Sequence, residues 1–228
     1  MRFLSSSRIA AGLFMLAIPG ILLAGTVEAG AWPFSGAGRF SSCSRPVTSP
    51  PESLLGEHFS PEENLESIDV DLIDHARRSI EIAMYAFTDR PIADAVIRAA
   101  SRGVHVWIYR DGIQIKDRGD KSRRILSASG QSGVVQIEVK RNSSRNIMHL
   151  KAYLIDGRIL RTGSANWSPP GEGAWCSRGE RLHRDQQDNN LFITNDPREV
   201  RKFESTFRRI WTRETNRPWN ENLSRRRS

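Results

Sequence analysis

Between residues 57 and 216, short apolar segments alternate with longer amphipathic ones. The longer segments repeat apolar residues every three or four positions, which is the period of a helix, and they cover 61–79, 90–103, 120–130 and 197–211. The short segments are typical of strands and cover 79–87, 104–111, 134–140, 149–156, 158–166 and 190–195. This alternation predicts an α/β fold in which helices cover a sheet.

Two of the predicted strands, 149–156 and 158–166, are separated only by a turn around Asp156-Gly157-Arg158. So short a connection makes the two strands antiparallel neighbours, whereas strands joined through a helix can run parallel. We therefore predict a mixed β-sheet sandwiched between helices.

The N-terminal segment differs in composition from the rest of the chain. Residues 1–29 begin with Arg2 and Arg8 and continue as an apolar run that ends in small residues, which is typical of a signal peptide. Because the run is somewhat short for a membrane span, we predict export to the periplasm or medium, with an uncleaved membrane anchor as the alternative. The predicted organisation is a leader at 1–29, a flexible Gly/Ser/Pro-rich linker at 30–56, a folded domain at 57–216 and a basic tail at 217–228.

The chain contains two cysteines, Cys43 and Cys176. Export would permit a disulfide between them. Two independent thiols are an equal alternative, because a single pair has no spacing pattern to judge. No Cys-x-x-Cys motif occurs, and no metal site is predicted.

The formal net charge of the chain is +8 at pH 7. A basic chain favours polyanionic partners, which are nucleic acid or the surface of an anionic membrane. Charge alone does not distinguish these two partners and says nothing about the fold.

The segment "MHLKAYLID" places His149 and Lys151 two residues apart in a predicted strand, so both side chains point to the same face. Two groups that can both be cationic repel each other unless an anion lies between them. Ser164 and Asn166 in "GSAN" share a face by the same rule. Lysine binds phosphate as a point charge, and histidine can act as a nucleophile. The expected anion is therefore a phosphodiester.

The full pattern His-x-Lys-x4-Asp-x6-Gly-Ser-x-Asn is complete between residues 149 and 166. It resembles the HKD motif of the phospholipase D superfamily, and the similarity extends over about residues 57–215, especially to small single-motif members such as bacterial endonucleases and mitochondrial cardiolipin hydrolase. The resemblance implies a phospholipase D-like fold with one motif per chain and hydrolysis without metal or cofactor. In that mechanism one histidine attacks phosphorus, a second protonates the leaving oxygen, and water releases the product.

The resemblance also implies roles for the residues of the motif. His149 would be the nucleophile or the acid, Lys151 and Asn166 would hold phosphate oxygens, and Ser164 would support them. Asp156, the acid of the motif, is interpreted as a partner that orients the catalytic group rather than as the base.

Two features depart from the family pattern. Where the family has a later glutamate, "QQDNNLFI" has Asp188, which is one methylene shorter and is predicted to orient the imidazole. The loop 167–187 is longer than in the small nucleases and carries Trp167, Trp175 and several arginines. It is predicted to stack bases or to lie in a headgroup layer, with a solvated surface loop as the alternative.

One motif supplies one histidine, whereas the implied mechanism needs two. A two-fold homodimer with a shared active site resolves this conflict. A non-specific endonuclease is the leading function because of the basic charge. A phospholipase D or cardiolipin hydrolase is the alternative, favoured by the tryptophans and by export. A non-catalytic nucleic-acid or membrane-binding protein is the second alternative, although binding alone needs no nucleophile.

Overall fold

The structure, a computed structural model, describes residues 50–129, 137–173 and 186–219. The helices within these ranges are α1 Leu65–His75, α2 Arg90–Ser101, α3 Ser122–Ser129 and α4 Pro197–Trp211. The strands are β1 Gly56–Ser60, β2 Ser79–Met84, β3 His105–Arg110, β4 Ile137–Arg141, β5 Lys151–Ile155, β6 Ile159–Gly163, β7 Asn189–Thr194 and β8 Arg217–Pro218. Short 3-10 turns lie at Pro51–Leu54 and Gln114–Lys116.

The strands form one sheet with the order β1-β7-β6-β5-β2-β3-β4-β8. β2, β3 and β4 run parallel to one another, and the remaining neighbours are antiparallel. The predicted mixed sheet is therefore confirmed. In this topology the C-terminal ends of β2 and β3 and the N-terminal end of β5 meet at one edge of the sheet, which we call the site edge.

Helices cover both faces of the sheet, as predicted. Alternate residues of β2, such as Ile80 and Ile82, join the larger core cluster with α1, α2 and α3. Ala83 points the other way, into a second cluster formed with Phe203 and Phe207 of α4. Successive side chains of β2 thus pack into two separate cores. Because a shift by one residue would exchange the two faces, this packing fixes the register of the central strands.

The hairpin of β5 and β6 closes where the sequence places it. Asp156 and Gly157 both have positive φ angles, 54° and 67°. Glycine adopts such angles without steric cost, and Asp is among the few other residues that tolerate them. The Asp-Gly pair is therefore the local reason for the turn.

The fold extends further than 57–216 at both ends. β1 pairs antiparallel with β7, and Leu54 of the preceding 3-10 turn is buried. At the other end, β8 pairs with β4 and the backbone N–H of Trp219 donates to Val139, so the first residues of the predicted tail belong to the sheet. Neither strand has an apolar alternation that would predict it, because both are edge strands held by pairing with a neighbour.

Helix α1 begins later than the pattern over 61–79 predicts. The side chain of Asn64 accepts a hydrogen bond from the backbone N–H of Ser67, and the helix proper starts at Leu65. Asn is a favoured N-cap because its side chain satisfies a backbone donor that has no partner inside the helix. The cap, and not the acidic residues before it, sets the boundary.

Several predictions fall outside the described residues. These are the leader at 1–29, residues 30–49 of the linker, both cysteines, Trp175 and all three arginines of the 167–187 loop. The leader, the linker and the alternative states of Cys43 and Cys176 stay predictions. Across the ranges 50–129, 137–173 and 186–219, the helices are all too short or too polar to cross a lipid bilayer.

Glu81 on β2 is half-buried near Glu204 and Arg208 of α4. Burial, together with the charge of Glu204, raises the pKa of the Glu81 carboxyl from 4.5 to about 7. Because the folded state holds this proton more tightly, the resulting stabilisation is complete below pH 4.5 and is lost as the pH rises through 7. Glu81→Gln, which mimics the protonated acid, should therefore raise the free energy of unfolding at pH 8 by about 1–2 kcal/mol and change it little at pH 4.

Urea denaturation at the two pH values measures this difference between variant and wild type. Glu214→Gln is the matched control because Glu214 is exposed. Equal effects of the two substitutions at pH 8 would contradict the prediction for Glu81.

Candidate active site

His149 and Lys151 lie side by side at the site edge. Lys151 is the first residue of β5, and His149 lies two residues before it. The Nζ atom of Lys151 lies 3.2 Å from Nδ1 and 3.3 Å from Nε2 of His149, and it donates to the His149 carbonyl oxygen at 3.0 Å. The ammonium is thus held against the imidazole, and the strand alternation places both on one face.

The two side chains differ in their contact with solvent. His149 is exposed, whereas Lys151 is 8% exposed. Burial, and secondly the positive charge of Arg161, lowers the pKa of the Lys151 ammonium. A cation kept partly out of water beside a second cation is stabilised by a bound anion, which would supply the missing opposite charge.

Tyr85 contacts both His149 and Lys151. No feature of the sequence predicted a role for Tyr85 in the site. Its ring packs edge-to-face against the imidazole of His149, with centroids 4.4 Å apart. The Nζ atom of Lys151 lies 5.2 Å from the centre of the same ring. The Tyr85 hydroxyl accepts a hydrogen bond from Nε2 of Gln114 at 3.2 Å. Tyr85 therefore restricts the rotamers of both motif residues.

Asn166 reaches the site edge from the segment that follows β6. Its Oδ1 atom accepts a hydrogen bond from the backbone N–H of Ala86 at 3.2 Å, and Ala86 is the neighbour of Tyr85 in the chain. Because the backbone donor selects the oxygen of the amide, the Nδ2 donor is turned the other way. The amide is thus oriented with its donor end available to an anion.

Ser164 occupies a supporting position. Its hydroxyl donates to Oδ1 of Asn189 at 2.9 Å and accepts from the backbone N–H of Asn190 at 3.0 Å. Because its proton is already used, Ser164 holds the end of β6 against the start of β7 and is a poor donor to a phosphate. Asn189 and Asn190, which sequence reasoning missed, are the residues that make this connection.

Asp188 precedes β7 and is exposed. Its side chain makes no hydrogen bond with His149 among the residues that the structure describes. The role in orienting the imidazole stays a prediction for this residue.

Asp156 lies at the far end of β5 from His149, on the order of 20 Å away at about 3.3 Å per residue. Its carboxylate accepts hydrogen bonds from the backbone N–H groups of Arg77, Arg78 and Ser79. The geometry does not allow it to orient the catalytic groups. Asp156 instead fixes the connection from α1 to β2 and the start of the central strand.

A buried arginine supports the site from below. The Nη1 atom of Arg161 on β6 donates to the carbonyl oxygens of Lys151 and Ala165, at 3.1 and 3.2 Å. Its other nitrogens bind both carboxylate oxygens of Asp69, at 3.1 and 2.8 Å, and Oε1 of Glu172 at 2.9 Å. One guanidinium thus joins the segments that carry Lys151 and Asn166. An arginine that directly follows the apolar pair Ile159-Leu160 in "RILRTG" was the available signal, and it was not recognised.

Trp167 does not lie on the surface loop to which the sequence assigned it. It is fully buried, and its indole N–H donates to Oδ2 of Asp69 at 2.6 Å. Its ring packs edge-to-face on Phe87, with centroids 4.7 Å apart. The prediction that Trp167 stacks bases or enters a headgroup layer is therefore wrong.

Comparison with known proteins agrees with this fold. Residues 70–211 match the family described as cardiolipin synthase, PLD-like domain, which is more than half of the chain. The fold and this family match define a protein of the phospholipase D-like class. The chain belongs to this PLD-like domain family, which confirms the resemblance drawn from the motif.

Relatives of known name share this domain. The chain is 31% identical over 164 residues to the mitochondrial cardiolipin hydrolase of Drosophila melanogaster, covering 62% of this chain and 56% of the relative. It is 28% identical over 136 residues to the human mitochondrial cardiolipin hydrolase, covering 60% and 46%. The chain spans about half the length of the curated relatives it matches.

Solved structures share the fold. The phospholipase D family member Nuc from Salmonella typhimurium aligns with a TM-score of 0.59 at 23% identity, covering 72% of this chain and 97% of the other. NucT from Helicobacter pylori aligns with a TM-score of 0.55 at 23% identity, covering 72% and 98%. These similarities establish the architecture of the domain.

Proposed function

We propose that the protein is a metal-independent phosphodiesterase that works through a phosphohistidine intermediate and cleaves single-stranded nucleic acid without sequence preference. The observation that carries the proposal is the contact of Lys151 Nζ with the His149 ring, 3.2 Å from Nδ1, together with an Asn166 amide that the backbone N–H of Ala86 orients. Lysine and amide donors would stabilise the charge that develops on the phosphoryl oxygens. Membership of the PLD-like family supports the reaction type.

The chemistry requires two histidines. A ring nitrogen of His149 would attack phosphorus and form a P–N bond as the P–O bond to the leaving oxygen breaks. A protonated histidine would give its proton to that oxygen. Water would then attack phosphorus, the P–N bond would break, and the second histidine would take the proton of the water.

The second histidine would come from another copy of the chain. Three of the remaining four histidines lie in the described ranges and have other partners. His58 contacts Glu63 at 2.7 Å, His75 contacts the carbonyl oxygen of Asp71 at 2.7 Å, and His105 stacks on Trp107. A two-fold homodimer that brings His149 of the partner subunit to the same phosphate would complete the site.

A phospholipase activity is the second candidate, and one observation favours it. Three exposed aliphatic side chains border His149: Ile113, Ile147 and Leu150 are 73%, 64% and 39% exposed. Ile113 and Met148 donate backbone N–H groups to the same Asp111 carboxylate, which draws the two loops together. Such a rim fits an acyl layer as well as a subunit interface. The relatives named cardiolipin hydrolase support this candidate.

Turnover of single-stranded DNA, compared with cardiolipin and phosphatidylcholine vesicles, distinguishes the two substrates. We expect the purified chain to cut the DNA in excess chelator, because the proposed reaction has no step that needs a metal ion. Ile147→Ser/Leu150→Ser is the matched variant, since an acyl-layer contact would make vesicle turnover depend on these side chains. Headgroup release from vesicles without DNA cleavage would overturn the nuclease proposal. Binding of either substrate without turnover would support the non-catalytic alternative.

A further inference from the structure

One residue from each of five neighbouring strands forms a row across the sheet, from Lys151 on β5 to Arg217 on the edge strand β8. In the strand register, Lys151 lies opposite Met84, Met84 opposite Arg110, Arg110 opposite Arg141, and Arg141 opposite Arg217. Four of these five residues are cationic. At about 4.8 Å per strand, Arg141 lies on the order of 14 Å from Lys151 and Arg217 about 19 Å from it.

The cations of this row are not neutralised equally. Arg110 is fully buried and forms an ion pair with Asp120. Arg141 and Arg217 form no ion pair within the described ranges, although like charges directly opposite on neighbouring strands destabilise the pairing. Among the described residues, Arg217 donates to the carbonyl oxygens of Glu214 and Asn216 and to no carboxylate. The Nε atom of Arg141 is buried without a hydrogen-bond partner.

A third cation lies between Arg141 and His149 in the chain. Arg145 is exposed, in the loop that leads from β4 to His149, and it forms no ion pair in the part of the chain that the structure describes. The side chain of Asn142 holds this loop through the carbonyl oxygen of Asn146 and the N–H and hydroxyl of Ser144. The loop is therefore braced from within, and its arginine side chain remains directed to solvent.

Five arginines on the helical flanks contrast with these three, although Arg123 of α3 and Arg201 and Arg209 of α4 also form no ion pair among the described residues. Ion pairs with aspartate or glutamate neutralise Arg90, Arg98, Arg102, Arg124 and Arg208. The flanks thus use much of their positive charge within the protein. The corner formed by Arg141, Arg145 and Arg217, which we call the β4–β8 corner, leaves its charge available to a partner.

We propose that the β4–β8 corner binds backbone phosphates of a single-stranded nucleic acid several nucleotides from the phosphate at His149. The inference rests on the proposed nuclease function and adds a path for the nucleic acid, from the phosphate at His149 towards the exposed Arg145 and Arg217. Unpaired arginines at about 14 and 19 Å from Lys151 match successive phosphates of one polymer. A phospholipid headgroup cut at His149 does not extend that far.

Salt-dependent binding of a long single-stranded oligodeoxynucleotide tests the proposal, in a His149→Asn background that prevents cleavage. The test variant is Arg145→Gln/Arg217→Gln, because Arg141 packs near Trp219 and its replacement risks the fold. The control is Arg77→Gln/Arg201→Gln, which removes two exposed arginines away from the row and the same net charge. The slope of log K against log salt should become shallower by about 1.4 in the test variant, at roughly 0.7 per phosphate contact, and should stay near the wild-type value in the control.

Activity measurements on variants that retain His149 test this proposal independently of the proposed function. The test variant should lose activity on the long strand and keep wild-type activity on a dinucleotide, which is too short to reach the β4–β8 corner. Equal salt slopes for the test and control variants would overturn the inference, even if the enzyme cuts DNA. Loss of binding to anionic vesicles with unchanged DNA binding would also overturn it. If the salt slope changes as predicted but the wild type does not hydrolyse DNA, the β4–β8 corner binds nucleic acid as proposed and the nuclease function is overturned.

Discussion

His149→Asn is expected to abolish phosphodiester hydrolysis, with a loss of at least about 10⁴-fold, because it removes the nucleophile of the proposed reaction. The fold should persist, since His149 is exposed and lies before β5. Lys151→Gln should also lose activity, by on the order of 10²–10³-fold, through lost stabilisation of the transition-state charge. Initial rates on a small chromogenic phosphodiester measure both effects, and circular dichroism verifies the fold.

Mixing experiments extend this prediction to the dimer. Excess His149→Asn chains, exchanged with wild-type chains, should suppress the wild-type activity, because each heterodimer lacks one of the two histidines. An Arg77→Gln chain in the same excess is the control, since Arg77 is exposed and lies at the opposite end of the sheet. A fully active monomer by light scattering would contradict the shared site. A retained rate in His149→Asn alone would contradict the nucleophile assignment.

The second large effect is expected on stability. Arg161→Leu removes the guanidinium that forms an ion pair with Asp69 and donates a hydrogen bond to Glu172, and all three side chains are fully buried. Breaking a buried ion pair by deleting one partner typically costs about 3–5 kcal/mol, because the remaining charge has no compensation. That cost is a large part of the total stability of a domain of this size. Denaturant unfolding should show a strong loss or no cooperative transition.

Two further variants make the Arg161 result specific. Arg158→Leu, three positions earlier, replaces an arginine whose side chain is 69% exposed and lies 3.7 Å from Glu52, so it should change stability little. Adding Asp69→Asn to Arg161→Leu should recover part of the loss, because it removes a buried charge that the first substitution left unpaired. A wild-type unfolding midpoint for Arg161→Leu would contradict the proposed support of the site.

Burial near Arg161 also changes the protonation of neighbouring carboxyl groups. Burial, and secondly the charge of Asp69, raises the pKa of Glu172 well above its ordinary value. Burial and the neighbouring Asp89 likewise raise the pKa of Glu66 to about 9. Arg161 is thus surrounded by more carboxyl groups than it can neutralise, and the excess is accommodated by bound protons.

The spacing of apolar residues and the residues at the turns predicted most of the architecture. The helical and strand segments, the Asp156-Gly157 turn and the mixed sheet follow from local residue patterns, because each depends on neighbours within a few positions. The edge strands β1 and β8 were missed, since they are held by pairing with distant strands. Pro218 even argues against a strand, although proline is tolerated at the edge of a sheet.

By itself, the sequence determined the chemical pair at the site. Residues i and i+2 of a strand share a face, so His149 and Lys151 had to lie together whatever the rest of the chain did. Only the tertiary structure decided which distant residues meet them. It brought Tyr85 and Asn166 to the pair, sent Asp156 to the other end of β5 and buried Trp167 against Asp69. Those contacts depend on the order and register of the strands, which long-range packing selects and local spacing does not encode.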